Sequence, residues 1–122
     1  MKKRKVLFIC LIVLFILCGC EEEEEKTLRE RIEEEKAIIV DVRTKEEYEE
    51  SHIKGAINIP YDEIDEDVEL DQNKKIYVYC KSGKRSGIAY ETLKNLGYEV
   101  ENLGAYQTIN LERTSEKNEN TN

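Results

Sequence analysis

One cysteine in this chain stands at the head of a loop built to hold negative charge. Cys80 is followed by Lys81, Ser82, Gly83, Lys84, Arg85 and Ser86. Three bases and a flexible glycine within five residues of a thiol point to an activated nucleophile. A free cysteine titrates near ~8.5, and cationic neighbours or a helix N-terminus bring it toward thiolate at neutral pH. A thiolate held that way attacks without needing a separate base. The same ring of donors would hold a sulfane sulfur, a sulfonate or a phosphate oxygen.

Such a loop works only if flanking elements aim it. Ile76-Tyr77-Val78-Tyr79 is β-branched and aromatic and too short for a helix, so it predicts a buried strand ending at Cys80. Ile88 to Leu96 predicts a helix, with Ala89, Leu93 and Leu96 at i, i+4 and i+7 on one face. Gly97 stands just beyond, where a left-handed terminal residue is wanted. The loop therefore lies at the carboxyl end of a strand and at the N-terminus of a helix, where unpaired amides and the helix dipole favour an anion.

Two plainer readings compete. Free cysteine is among the most buried residue types, so Cys80 could be an inert core thiol. A nucleotide-binding loop needs a glycine five positions before its Gly-Lys pair, and Val78 stands there. The nucleophile reading requires that solvent reach the sulfur.

The stretch Cys80 to Ser86 resembles the active-site loop of the rhodanese family of sulfurtransferases. Upstream, Ile38-Ile39-Val40-Asp41-Val42-Arg43, then Glu47-Tyr48 and His52-Ile53-Lys54-Gly55-Ala56-Ile57-Asn58-Ile59-Pro60, is similar to that family's other marker. The likeness covers roughly Thr27 to Ile109. It implies catalysis by Cys80, substrate binding by Lys81, Ser82, Gly83, Lys84, Arg85 and Ser86, and structural support from Asp41 and Arg43 as a strand-end ion pair. The implied substrates are a small anionic sulfur donor, thiosulfate or a persulfide, and a thiol or cyanide acceptor, with no cofactor. His52 lies within the structural marker and is expected to support the fold. Two departures concern the edges: no strand is evident before the first helix, and Gly104-Ala105-Tyr106 stands where the family often has paired glycines and a tryptophan.

Two further function classes stay open. Cysteine phosphatases and arsenate reductases also use a cysteine, an amide ring and an arginine, but only four residues separate Cys80 from Arg85, one fewer than in that signature. The third class is a non-enzymatic sulfur carrier or interaction module.

Composition narrows the setting. The chain has 122 residues, room for a single domain, with 19 Lys and Arg against 27 Asp and Glu. Lys2, Lys3, Arg4 and Lys5 belong to a cationic start, so the remainder is more acidic still. Non-specific nucleic-acid binding is disfavoured, and the basic loop becomes a local exception. Twelve consecutive apolar residues, Val6 to Leu17, precede Cys18-Gly19-Cys20. A charged start, a short apolar stretch and a small-residue exit predict a secretory signal over 1–19. Its ending resembles a bacterial lipoprotein signal, implying lipidation at Cys20 and an extracytoplasmic, membrane-anchored protein; an uncleaved anchor is the alternative. Of the four cysteines only Cys80 falls in the predicted domain, and one cysteine with one histidine cannot fill a structural zinc site.

Residues 20–26 read as an acidic tether, 27–111 as the rhodanese-like domain and 112–122, without an apolar residue, as a disordered polar tail. Thr27 and Thr44 each open a capping box. Ala37 to Val42, Ala56 to Ile59 and Val100 to Leu103 predict further strands. Strands alternating with helices give an α/β fold, a small mainly parallel sheet with helices on both faces. Ligands in such sheets sit at the carboxyl ends of the strands, where Cys80 falls.

Overall fold

Two threonines start the first helices as their sequences predict. In the computed structural model, which describes residues 25–120, Thr27 caps α1 (Leu28–Glu35) and Thr44 caps α2 (Lys45–Glu50). In each, the threonine hydroxyl accepts an amide of the first turn while a glutamate, Glu30 or Glu47, accepts the cap amide. Such a cap is worth ~1 kcal/mol. The predicted signal and Cys20 lie outside the described residues, as does most of the acidic tether.

The sheet is built from β1 (Ile38–Asp41), β3 (Ile57–Asn58), β4 (Ile76–Cys80) and β5 (Val100–Ala105), all parallel, in the order β3-β1-β4-β5. Between β4 and β5 runs α3 (Lys84–Asn95), which Gly97 ends with φ +95°. Alternate strand residues face opposite layers. Val40, Ile76, Val78 and Cys80 pack with Ala89 and Leu93 of α3, while Ile39 and Tyr79 pack with Leu28 and Ile32 of α1 and Tyr48 of α2. Helices thus cover both faces, and β4 is buried along its whole length. Burying each large apolar side chain contributes roughly 1.5–3 kcal/mol. The acidic stretch before β4 is anchored by Ile64, Val68 and Leu70 on the α3 side.

Three details differ from the sequence reading. First, α3 begins at Lys84, so half of the basic loop is already helix. The helix has no side-chain cap; Gly83, at φ +95°, supplies the turn. A Cβ there would meet Gly104 at an ordinary 3.6 Å, so the need for glycine is conformational and not spatial. Second, β5 extends to Ala105 through an irregularity at Leu103, where Gly104 at φ +82° shifts the register and sets Ala105 opposite Cys80.

Third, the tail expected to be disordered from residue 112 is ordered as far as residue 120. A strand β2 (His52–Ile53) pairs antiparallel with β6 (Arg113–Thr114), and a short α4 (Glu116–Glu119) follows. Backbone pairing replaces the missing apolar anchors. Arg113 also donates to the carbonyls of Tyr106 at 2.7 Å and Ile109 at 3.1 Å. Composition alone does not reveal a pairing made through main-chain atoms.

Candidate active site

The Cys80 sulfur sits where β4 stops and α3 begins. The Gly83 amide donates to Sγ at 3.0 Å. The thiol is buried, which pushes its pKa up; the Ser86 hydroxyl and the amides of Ser86, Gly83 and Ser82 outweigh that and bring it below the ordinary thiol value. The Ser86 hydroxyl donates to the Gly83 carbonyl at 3.0 Å, and the same rotor turned to the sulfur supplies the donor that a thiolate needs. The stabilisation of the anion comes from dipoles in the loop and not from a charge touching it.

Solvent does not reach that sulfur. Cys80 is 0% exposed, whereas the nucleophile reading required access. The loop residues that follow, Lys81 and Ser82, are exposed, as is Lys84. The approach to Sγ is therefore narrow, past the exposed Lys81 and Ser82.

The cations are not equivalent. Arg85, expected to attract an anion, is held by a carboxylate of α2: its Nη1 lies 2.7 Å from Glu47 Oε1 and its Nη2 3.2 Å from Oε2. Hydrogen bonding by Arg85 holds the Glu47 carboxyl down at about 2, so Glu47 stays ionised at any ordinary pH. Glu47 also closes the α2 capping box, fixing the loop to the start of α2. The ammonium groups of Lys81 and Lys84 have no partner among the described residues.

Asp41 and Arg43 form the second ion pair of this region. Arg43 Nη2 lies 2.6 Å from Asp41 Oδ2, Nε lies 3.0 Å from both oxygens, and the Arg43 amide donates to Oδ1 at 2.9 Å. The guanidinium also donates to the Ser51 carbonyl at 2.6 Å and lies 4.5 Å from the centre of the Tyr106 ring. Tyr79, beneath it, accepts from the Ile53 amide at 3.0 Å, and burial pushes its phenol well up.

His52 lies apart from the sulfur's own partners. Its ring stacks on Tyr48 with centroids 3.8 Å apart; Nδ1 donates to the Tyr48 carbonyl at 2.7 Å and Nε2 faces Glu119 at 3.2 Å.

Beside the loop opens a cleft of about 330 Å³. Arg43 and Tyr106 form one part of its wall, Glu47 and Glu50 another, and Lys81 stands at its edge. A second hollow, lined by Ile32, Ile39, Ile53 and Leu111, contains none of the loop residues. Sequence reasoning missed Glu50, named Tyr106 only as a departure from the family pattern, and gave Glu47 no role at the site. The one available signal was that Glu47 falls inside the upstream marker.

A sulfur at a strand end, ringed by amides of a glycine-turned loop, is the arrangement the family likeness implied. The family model for the rhodanese-like domain matches residues 24–108, more than half of the chain. The chain belongs to the rhodanese-like domain family. It is 43% identical over 74 residues to thiosulfate sulfurtransferase PspE of Escherichia coli, covering 57% of this chain and 71% of that one. Over 76 residues it is 37% identical to YrkF of Bacillus subtilis, a protein that carries the name of a sulfur carrier, covering 61% of this chain but only 41% of that one. Among solved structures, an E. coli rhodanese with anions aligns at a TM-score of 0.60 and 37% identity, over 65% of this chain and 98% of that one. The solved relative and the family match agree with the central parallel sheet flanked by helices.

Proposed function

We propose that this protein is a membrane-tethered sulfurtransferase that carries sulfane sulfur on Cys80. The observation that supports it most is the sulfur itself, receiving an amide at 3.0 Å in a loop that lowers its pKa despite burial. With thiosulfate as donor, the Cys80 thiolate attacks the outer sulfur. The S–S bond of thiosulfate breaks, its electron pair leaves with sulfite, and Cys80 becomes a persulfide. The amides of the Lys81 to Ser86 segment then hold the outer sulfur, and Lys81 and Lys84 attract the anionic donor. An acceptor thiolate or cyanide attacks that outer sulfur, and the electron pair of the broken S–S bond returns to Cys80 as thiolate. The relative named as a thiosulfate sulfurtransferase supports the reaction class.

Thiosulfate and cyanide given to the full chain in detergent should yield thiocyanate, and intact-mass analysis should find one added sulfur atom on Cys80. Cys80→Ser should abolish both. Thiocyanate production that survives that substitution would overturn the reading. The same mass measurement on protein extracted from membranes reads the proposed lipid on Cys20, and an unmodified Cys20 at the start of the mature chain would remove the tether.

A second reading, a carrier that passes persulfide to one protein partner, is favoured by the complete covering of Cys80. A docking partner that opens the loop would exchange sulfur faster than small molecules do. Stable persulfide with negligible thiosulfate turnover would place the protein there.

A further inference from the structure

The cleft beside the loop has an uneven charge pattern, and that pattern bears on the acceptor. Two of its charged groups are already matched. Arg43 is bound by Asp41 and the Ser51 carbonyl, and Glu47 is bound by Arg85. The two that remain, Glu50 and Lys81, are exposed and have no partner among the described residues. One is an anion at the C-terminal end of α2, the other a cation immediately after the reactive cysteine. The same cleft is lined by Tyr106, whose ring centre lies 4.5 Å from the Arg43 guanidinium and 4.6 Å from that of Arg113, and whose hydroxyl is bonded to the Ser51 hydroxyl.

A dianion gains at Lys81 but is opposed at Glu50, so this cleft is poorly suited to thiosulfate as its resident ligand. A molecule bearing both charges is opposed at neither. A volume of about 330 Å³ admits an amino-acid-sized ligand with room for a short extension. We propose that the cleft receives the acceptor as a zwitterionic thiol of amino-acid type, its ammonium on Glu50 and its carboxylate on Lys81, with its sulfur toward the Cys80 loop. This rests on the sulfur-transfer reading. In the step served, the acceptor thiolate bonds to the outer sulfur of Cys80–S–SH and the Cys80–S bond breaks. Its electron pair stays on Cys80 as thiolate, and the proton stays on the transferred sulfur, giving R–S–SH. Glu50 and Lys81 are specificity residues in this scheme and do not touch the reacting atoms.

The test compares three acceptors on the full chain loaded with persulfide from thiosulfate: cysteine, cysteamine, which lacks the carboxylate, and 3-mercaptopropionate, which lacks the amine. Each variant is expressed as a ratio to the unsubstituted protein, which cancels the differing thiol acidities. Glu50→Gln should lower kcat/KM for cysteine and cysteamine by about two- to fivefold, the range of an exposed ion pair, and spare 3-mercaptopropionate. Lys81→Gln should lower kcat/KM for cysteine and 3-mercaptopropionate by about two- to fivefold more than it lowers that for cysteamine. Glu50→Lys should turn the preference toward 3-mercaptopropionate. Variants that slow all three acceptors alike would overturn the assignment while leaving sulfur transfer intact.

S-methylcysteine, a zwitterion with no thiol, gives a readout independent of transfer. Its titration should shift the NMR amide signals of Glu50, Lys81 and Tyr106, and Glu50→Gln should weaken that binding. Absence of binding sinks the cleft assignment, whereas binding without any persulfide on Cys80 sinks the sulfur-transfer reading alone.

Discussion

Arg43 and Arg85 are each gripped by a carboxylate within a short distance of the same sulfur-bearing loop, yet they do different work. Arg43 and Asp41 have side chains 6% and 0% exposed, and the guanidinium has further partners in the Ser51 carbonyl and the Tyr106 ring. Arg85 and Glu47 are 27% and 29% exposed, and Glu47 lines the cleft. The first pair ties the end of β1 to the segment after α2, and its charges have nowhere else to go. The second also ties two elements, but water and any ligand in the cleft can compete for it. Equal chemistry at different depth thus gives one fixed support and one adjustable clamp.

The sharpest way to break this contrast is at the buried pair. Asp41→Asn leaves a guanidinium charge in the interior without its counter-ion, and stability should fall by ~3–5 kcal/mol in chemical denaturation. A loss no larger than that of a surface substitution would mean that Arg43 finds another partner. Next comes the clamp. Glu47→Gln should cost about 1–2 kcal/mol, more than an ordinary surface pair because the contact is bidentate, less than a buried one because solvent screens it. It should also lower the KM for thiosulfate, since Arg85 is then free to attract the dianion. An unchanged KM would show that Arg85 only braces the loop.

A third measurement follows the clamp by pH. Glu47 has its carboxyl lowered from 4.5 to about 2 by Arg85. A depressed folded-state value contributes stability above the unfolded value that is lost on acidification. The clamp should therefore be at full strength above pH 4.5 and disappear as the pH falls toward about 2. In Glu47→Gln that part of the acid limb should flatten, with denaturation midpoints followed across the window. The smallest effect belongs to the tail. Glu119 is 44% exposed where it meets His52, so Glu119→Gln should change stability by less than ~1 kcal/mol and leave sulfur transfer untouched. A larger loss would make the tail a third support for the marker segment.

The sulfur shows the same effect of depth. Its alkylation should inflect below the pH typical of free cysteine, because the loop lowers its pKa, while the plateau rate stays below that of a free thiol because the sulfur is buried.

Local information sufficed for much of this. The β-branched run ending at Cys80, the threonine caps of α1 and α2, the apolar face of α3 and the glycine that turns the loop are all properties of neighbouring residues. So is the lowered pKa of Cys80, because the amides that lower it follow the cysteine directly in the chain. The fate of each charge was not legible. Glu47 and Arg85 are far apart in sequence and meet only because α2 and the start of α3 converge at the carboxyl edge of the sheet. The tail was misread for a related reason: β6 is held by main-chain pairing to β2, which composition does not encode. Residue types and short spacings determined what the chain could do at Cys80. Which cations remained available, how deeply the sulfur lay and which charges line the cleft were decided by tertiary packing, because burial and long-range charge pairing exist only once distant segments are brought together.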